Sequence, residues 1–256
     1  MGLITIVGIV VAIAAAARST WSPCGLSMLS TITPLSERGR GHRYAGTAAW
    51  FVVGAVGGGA TLGCGAALLA AGLGAVGPSL AVASGVAAGA ALVAAAADAG
   101  LTSVRFPLFR RQVNERWLDQ YRAWLYGAGF GWQVGVGLAT YIMTAGVFLT
   151  VAVAILTGQP AAALLICTTF GVARGLTVLL TRRLRSPAAL RSFHRRFGRL
   201  EAPVRVGTIA VEVGAATLLA AVVWAPAAAV VAALAATTVA VKHLRYRASG
   251  GAVAAP

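Results

Sequence analysis

Seven apolar runs separated by short polar segments organise this chain: about 2–33, 45–72, 80–97, 123–157, 161–181, 204–223 and 227–241. About twenty apolar residues in a helix cross a bilayer core, so the pattern predicts an all-α polytopic membrane protein with about seven transmembrane helices. Strict alternation of apolar and polar residues, the mark of a membrane barrel, is not seen. The polar segments fall into two kinds that alternate. Those at 35–43, 101–122, 182–205 and 242–247 are rich in arginine, whereas Gly74–Ser79, Gly158–Pro160 and Trp224–Pro226 are short and uncharged. Basic connections stay in the cytoplasm, which predicts an N-terminus outside and a C-terminus inside. Within 101–122, Phe106, Phe109, Val113, Trp117 and Leu118 recur at roughly helical spacing, as expected of an amphipathic helix lying on the membrane surface.

Two runs, 2–33 and 123–157, are longer than one span needs, and a broken helix accounts for the excess. In the first, Pro23 lacks an amide donor and Gly25 loosens the same spot. In the second, Gly127, Gly131 and Gly135 recur every four residues. The second run has Gly54/Gly58 and Gly59/Gly63, small pairs that let helix backbones approach closely, and a packing role is expected for them. Runs one to three (1–98) and four to six (123–225) look like two copies of one unit. Three spans per copy would make an inverted repeat, with 226–242 as an extra helix and 248–256 as a disordered tail. Residues 1–247 would form one transmembrane domain.

Composition agrees. Of 256 residues, 59% are hydrophobic and 11% charged, and the mean hydropathy is +0.83. The formal net charge of +15 needs no nucleic acid to explain it. All but Arg18 and Arg174 of the 21 basic residues lie in the four basic segments, where they set topology and face anionic lipid headgroups. The bias towards Ala, Arg and Gly suits a GC-rich bacterial genome, which places the chain in a bacterial cytoplasmic membrane. The start of the chain has no basic n-region and reads as a retained first span. The three cysteines, Cys24, Cys64 and Cys167, lie inside apolar runs, which excludes a secreted disulfide framework. The histidines sit in the basic segments and no Cys-x-x-Cys occurs, so neither a metal site nor a cofactor is expected.

The chemistry concentrates at Ser19-Thr20-Trp21-Ser22-Pro23-Cys24-Gly25-Leu26-Ser27-Met28. A thiol stands at a helix discontinuity, flanked by hydroxyls that can satisfy released backbone groups. The alternative is a kinked helix with a buried, inert cysteine. Arg18, Arg174 and Glu212 are the ionisable residues well inside apolar runs, where such groups face the bundle interior and are paired. Arg174 and Glu212 lie at matching depth on successive runs and are candidates for an ion pair, either structural or switchable. Arg18 is placed to hold the broken helix end or an anion near Cys24, or to snorkel into a wet cleft.

Trp21 to Met28 resembles the CcdA/DsbD transmembrane family of thiol–disulfide electron carriers, whose Pro-Cys breaks the first helix of an inverted three-helix repeat. Phe170 to Leu180 is similar to that family's Gly-rich fifth helix, with Arg174 and Thr177 as departures. The resemblance implies a membrane-embedded thiol–disulfide electron relay, with thioredoxin-like partners and a place in cytochrome c biogenesis. Cys24 would be the redox thiol. The family's second cysteine belongs in the fourth helix, and none lies there in this chain, so Cys167 or Cys64 would have to serve. Two other readings fit the same scaffold: a small-solute or ion exporter lined by Arg18, Arg174 and Glu212, and a non-catalytic membrane scaffold.

Overall fold

In the computed structural model of the protein, residues 2–103 and 121–224 are described. They are helical, with no strand among them. In chain order come α1 (Leu3–Ser19), α2 (Pro23–Thr31), α3 (Pro34–Gly39), α4 (Tyr44–Val76) and α5 (Leu80–Ala99). After the undescribed stretch come α6 (Ala123–Val136), α7 (Gly146–Leu156) and α8 (Pro160–Leu176), which tightens into a 3-10 turn over Thr177–Thr181. Then come α9 (Pro187–Arg199) and α10 (Glu201–Val223). The surface helix expected within 101–122 falls largely on 104–120, outside the described residues, as do the seventh apolar run and the tail.

Among the described residues four helices, namely α4, α5, α8 with its 3-10 turn, and α10, are long and apolar enough to cross a membrane. The pair α1 and α2, bent by 69° at its break, makes a fifth. Large aliphatic side chains point outward along these helices: Ile6, Val10 and Ile13 on α1, Val53 and Leu68 on α4, Val86 and Val93 on α5. A soluble monomer rarely exposes contiguous apolar patches above a few hundred Å², so this outer surface suits lipid.

Both over-long runs are interrupted. The first breaks at Thr20–Ser22. The second splits into α6 and α7, with residues 137–145 between them and Gly137 at φ 71°. The first break is built by its sequence. Ser22 caps α2, its hydroxyl accepting from the Gly25 amide at 3.2 Å, and Pro23 occupies the first helical position, where its missing donor costs nothing. A side chain at Gly25 would collide with the Thr20 carbonyl, so glycine is needed for the chain to fold back this tightly.

The glycine spacing finds its reason in packing. Helix α4 lies between α6 and α8. Cβ atoms at Gly54 and Gly58 would run into the backbone of Ala128 and Trp132 on α6, and Cβ atoms at Gly131 and Gly135 into the carbonyls of Phe51 and Ala55. On the other side of α4, a Cβ at Gly59 would stand 2.7 Å from the Cys167 carbonyl oxygen, and one at Gly171 would meet Ala55. The other half of the bundle, α1, α5, α7 and α10, is packed largely through alanine, including Ala83, Ala87, Ala91, Ala215 and Ala216.

Candidate functional site

The buried polar groups gather where helices are interrupted. A broken helix leaves carbonyls at one end and N–H groups at the other without partners, and a dry interior supplies no water to take them. Charged side chains answer this need at the second break. The Val134 carbonyl, in the last turn of α6, accepts from Arg174 Nε at 3.4 Å. At the other side of the gap, Asp98 from α5 receives the start of α7. Its Oδ1 accepts from the Ala145 amide at 2.7 Å and its Oδ2 from the Thr144 hydroxyl. Each sign matches the helix end it meets, cation at the carbonyl end and carboxylate at the N–H end.

Glu212, on α10, reaches the same place. It is 1% exposed. A Cβ built on Gly146 would stand 3.1 Å from Glu212 Oε1 and 3.2 Å from Thr144 Oγ1, so the carboxylate and the hydroxyl flank the first residue of α7. Neither Glu212 oxygen has a hydrogen-bond partner among the described residues. The charged group within its electrostatic reach is Asp98, another carboxylate. Asp98 itself feels Arg18 and Arg205, and its backbone carbonyl accepts from Arg205 Nε and Nη2 at 3.1 and 2.8 Å.

At the first break, Cys24 occupies the second position of α2 and is buried, with Arg174 within electrostatic reach. Arg18 is also buried and pairs with Glu201 at 3.5 Å. Trp21 stacks on Phe197 of α9, with ring centroids 4.2 Å apart, and its indole N–H donates to the Phe197 carbonyl at 3.0 Å. His194 of the same helix meets the Ser30 hydroxyl at 3.1 Å. The segment 182–205 is therefore not a bare basic loop. Part of it is a helix whose aromatic face, Phe193 and Phe197, covers the first break.

A third knot lies at Glu37, which is fully buried. Its carboxylate accepts from Tyr126 Oη at 2.8 and 2.7 Å, from the Thr47 hydroxyl, and from Arg40 Nη1 at 3.3 Å. It fastens the first connection to α4 and α6.

Several expectations need correction. Arg174 and Glu212 do not pair. The described ion pairs are Arg18–Glu201 and Arg40–Glu37, and Arg174 serves the end of α6 instead. None of the three cysteines is in a disulfide, with Cys24 and Cys167 buried and Cys64 exposed. Cys167 sits in apolar surroundings. It is enclosed by Ile166, Phe170, Ala163 and other apolar side chains, and the Thr169 hydroxyl bonds back to the Leu165 carbonyl. At the first break Pro23 opens α2, Gly25 packs against the Thr20 carbonyl, and Cys24 is buried.

Reading the sequence alone passes over Asp98, Glu37, Thr144 and Tyr126. Asp98 carried a signal: it is the one acidic residue between 80 and 104, and the nearest basic residue, Arg105, is seven positions away.

No family model matches the chain, and no solved structure does. Among curated proteins it is similar to methylamine utilization protein MauF from several bacteria. It is 30% identical to that of Methylorubrum extorquens over 62% of this chain and 56% of the relative. It is 33% identical to that of Paracoccus denitrificans over 65% and 60%, and 29% identical to that of Methylobacillus flagellatus over 66% and 60%. The chain thus spans about three-fifths of the length of these relatives. These matches overturn the resemblance to the CcdA/DsbD family, which rested on a Pro-Cys at a helix break. Such a break answers a backbone need that any broken helix shares. The electron relay, the cytochrome c biogenesis role and the exporter fall with it.

Proposed function

We propose that the protein is an integral membrane component of methylamine utilization in the bacterial cytoplasmic membrane, working through the charged groups at its helix breaks and not through a thiol pair. The similarity to MauF proteins over about 160 to 180 residues carries this reading. Its lipid-suited outer surface supports the membrane part, and the apolar enclosure of Cys167, with no disulfide joining the three cysteines, supports the second part.

The proposed topology has seven crossings, with the N-terminus outside and the C-terminus in the cytoplasm. Six are 2–33, 44–76, 80–99, 123–157, 160–181 and 201–223, and 227–241 is the seventh. The alternation of basic and uncharged connections supports it, with the basic ones facing anionic headgroups. The 69° bend in the first run and the interruption of the second support two inverted three-helix units.

The test is growth on methylamine. A Paracoccus denitrificans strain lacking its MauF gene receives this chain, and membrane insertion is checked by immunoblot. Restored growth by the wild-type chain and by a Cys24→Ser, Cys64→Ser, Cys167→Ser variant is the expected result. No restoration by a chain present in the membrane refutes the assignment. Restoration by the wild type alone refutes the claim that the thiols are dispensable.

A further inference from the structure

The segment from Arg182 to Arg199 carries seven arginines and no acidic residue, and all seven arginines are exposed. Four of them stand on α9, whose two sides differ in kind. Phe193 and Phe197 lie on the side that packs against Trp21, with His194 beside Ser30. Arg191, Arg195 and Arg199 recur every fourth residue on the opposite side, in one line with a rise of about 6 Å between successive members. Like charges at that spacing repel along a helix. The described carboxylates do not relieve them. Glu37 and Asp98 are taken up in their own buried hydrogen bonds, Glu212 is buried beside Asp98, and Glu201 pairs with Arg18. The remaining acids of the chain, Glu115 and Asp119, stand in a segment with five arginines of its own.

The place of α9 in the chain says which anion it meets. Both its ends are tied to helices apolar enough to cross a membrane: Arg182 to Ser186 separate it from the 3-10 turn that ends α8, and Leu200 alone separates it from α10. Leu179, Leu180, Leu200 and Val206, at the near ends of those helices, are exposed, as suits acyl chains. Exposed leucine giving way within a turn to exposed arginine marks the level where hydrocarbon meets phosphate. From this juxtaposition we infer that the arginine face of α9 is a docking surface for the headgroups of anionic phospholipids, which hold the helix as a cover over the first break. A guanidinium meets a phosphate through two parallel N–H donors, and a layer of negative charge removes the repulsion among the arginines. The aromatic side stays on the break through the Trp21–Phe197 stack and the indole bond to the Phe197 carbonyl. A soluble acidic polypeptide matches the charge of this face but not its apolar flanks. The inference rests on the membrane reading above and is independent of the methylamine assignment.

The experiment places the full chain in nanodiscs of phosphatidylcholine alone, or of phosphatidylcholine and phosphatidylglycerol in equal parts, and reads amide hydrogen exchange. A segment held by a ligand opens less often and exchanges more slowly. The expected result is exchange about threefold slower at residues 187–199 and 20–26 in the mixed disc, with α4 unchanged. That difference should vanish when Arg191→Gln, Arg195→Gln and Arg199→Gln are combined. It should remain when Arg38→Gln and Arg43→Gln are combined, since these exposed arginines flank the first connection and not α9. If the glutamine variant of α9 does not fold, the wild-type chain should lose the difference in about 1 M sodium chloride, where charges are screened beyond about 3 Å. Equal exchange in the two discs overturns the site, and a difference that survives in the α9 variant overturns the role of its arginines. The same slowing in phosphatidylcholine discs on adding polyglutamate or inorganic phosphate overturns the lipid assignment. A chain that does not enter nanodiscs overturns the membrane reading and this site with it, whereas one that enters and exchanges alike in both overturns this site alone.

Discussion

Replacing Asp98 by alanine tests whether a carboxylate from α5 holds the start of α7. Asp98 is 8% exposed and accepts two hydrogen bonds, from the Ala145 amide at 2.7 Å and from the Thr144 hydroxyl. Hydrogen bonds to a charged group contribute about 1.5–3 kcal/mol each, and a buried donor left alone costs about 1–3 kcal/mol. Part of this is offset, because the wild-type carboxylate bears its own desolvation cost. Asp98→Ala should therefore lose about 3 kcal/mol. For a chain of this size that lowers Tm by about 6–12 °C. Asp98→Asn keeps an oxygen for the Ala145 amide and sheds the charge, so it should lose about 1 kcal/mol. Thermal unfolding in detergent, followed by far-UV circular dichroism, reads both. Hydrogen exchange should accelerate at residues 145–150 in Asp98→Ala more than in α4. If alanine leaves Tm within about a degree of wild type, or asparagine falls as far as alanine, the capping argument is refuted.

Three further outcomes follow from the same geometry. Gly131→Leu drives a side chain into the Phe51 carbonyl, and the variant should fail to accumulate as a monodisperse protein, whereas Gly65→Leu, where an added Cβ meets nothing within 4 Å, should behave as wild type on size-exclusion chromatography. Glu37→Ala strands the Tyr126 and Thr47 hydroxyls and should cost about 3 kcal/mol by the same unfolding assay, more than Tyr126→Phe, which leaves the carboxylate its other donors. Trp21→Ala removes the stack and the indole bond to Phe197, so α9 should be cleaved faster by trypsin at Arg191 to Arg199 while Tm changes by only a few degrees.

Much of the architecture was legible from the chain because two signals are local. The Ser22-Pro23 start of α2 is a cap followed by a first-position proline, and both act through neighbours in sequence. The Gly54/Gly58 and Gly131/Gly135 spacing announces close helix contact, and each pair meets the other's helix. The pairing of charges was not legible. Matching depth brought Arg174 and Glu212 together on paper, but depth says nothing about which way a helix is turned. Arg174 went to a helix end that needed a donor, and Glu212 turned towards α7. Asp98 finds Thr144 46 positions along the chain, and Glu37, besides its neighbours Arg40 and Thr47, finds Tyr126 89 positions along, so a local window misses these contacts. The cysteine at the first break drew attention to redox chemistry for a feature that backbone satisfaction explains.

The two halves of the bundle respond to change differently. At the glycines where α4 crosses α6 and α8, main chain rests on main chain, with no side chain between to absorb a shift. Those three helices form a stiff plate. The helices opposite meet through alanine methyls together with Val7, Val11, Leu149 and Leu219, so a layer of side chains separates their backbones. A carbon added at one of those glycines meets backbone, whereas one added in the other half meets side chains.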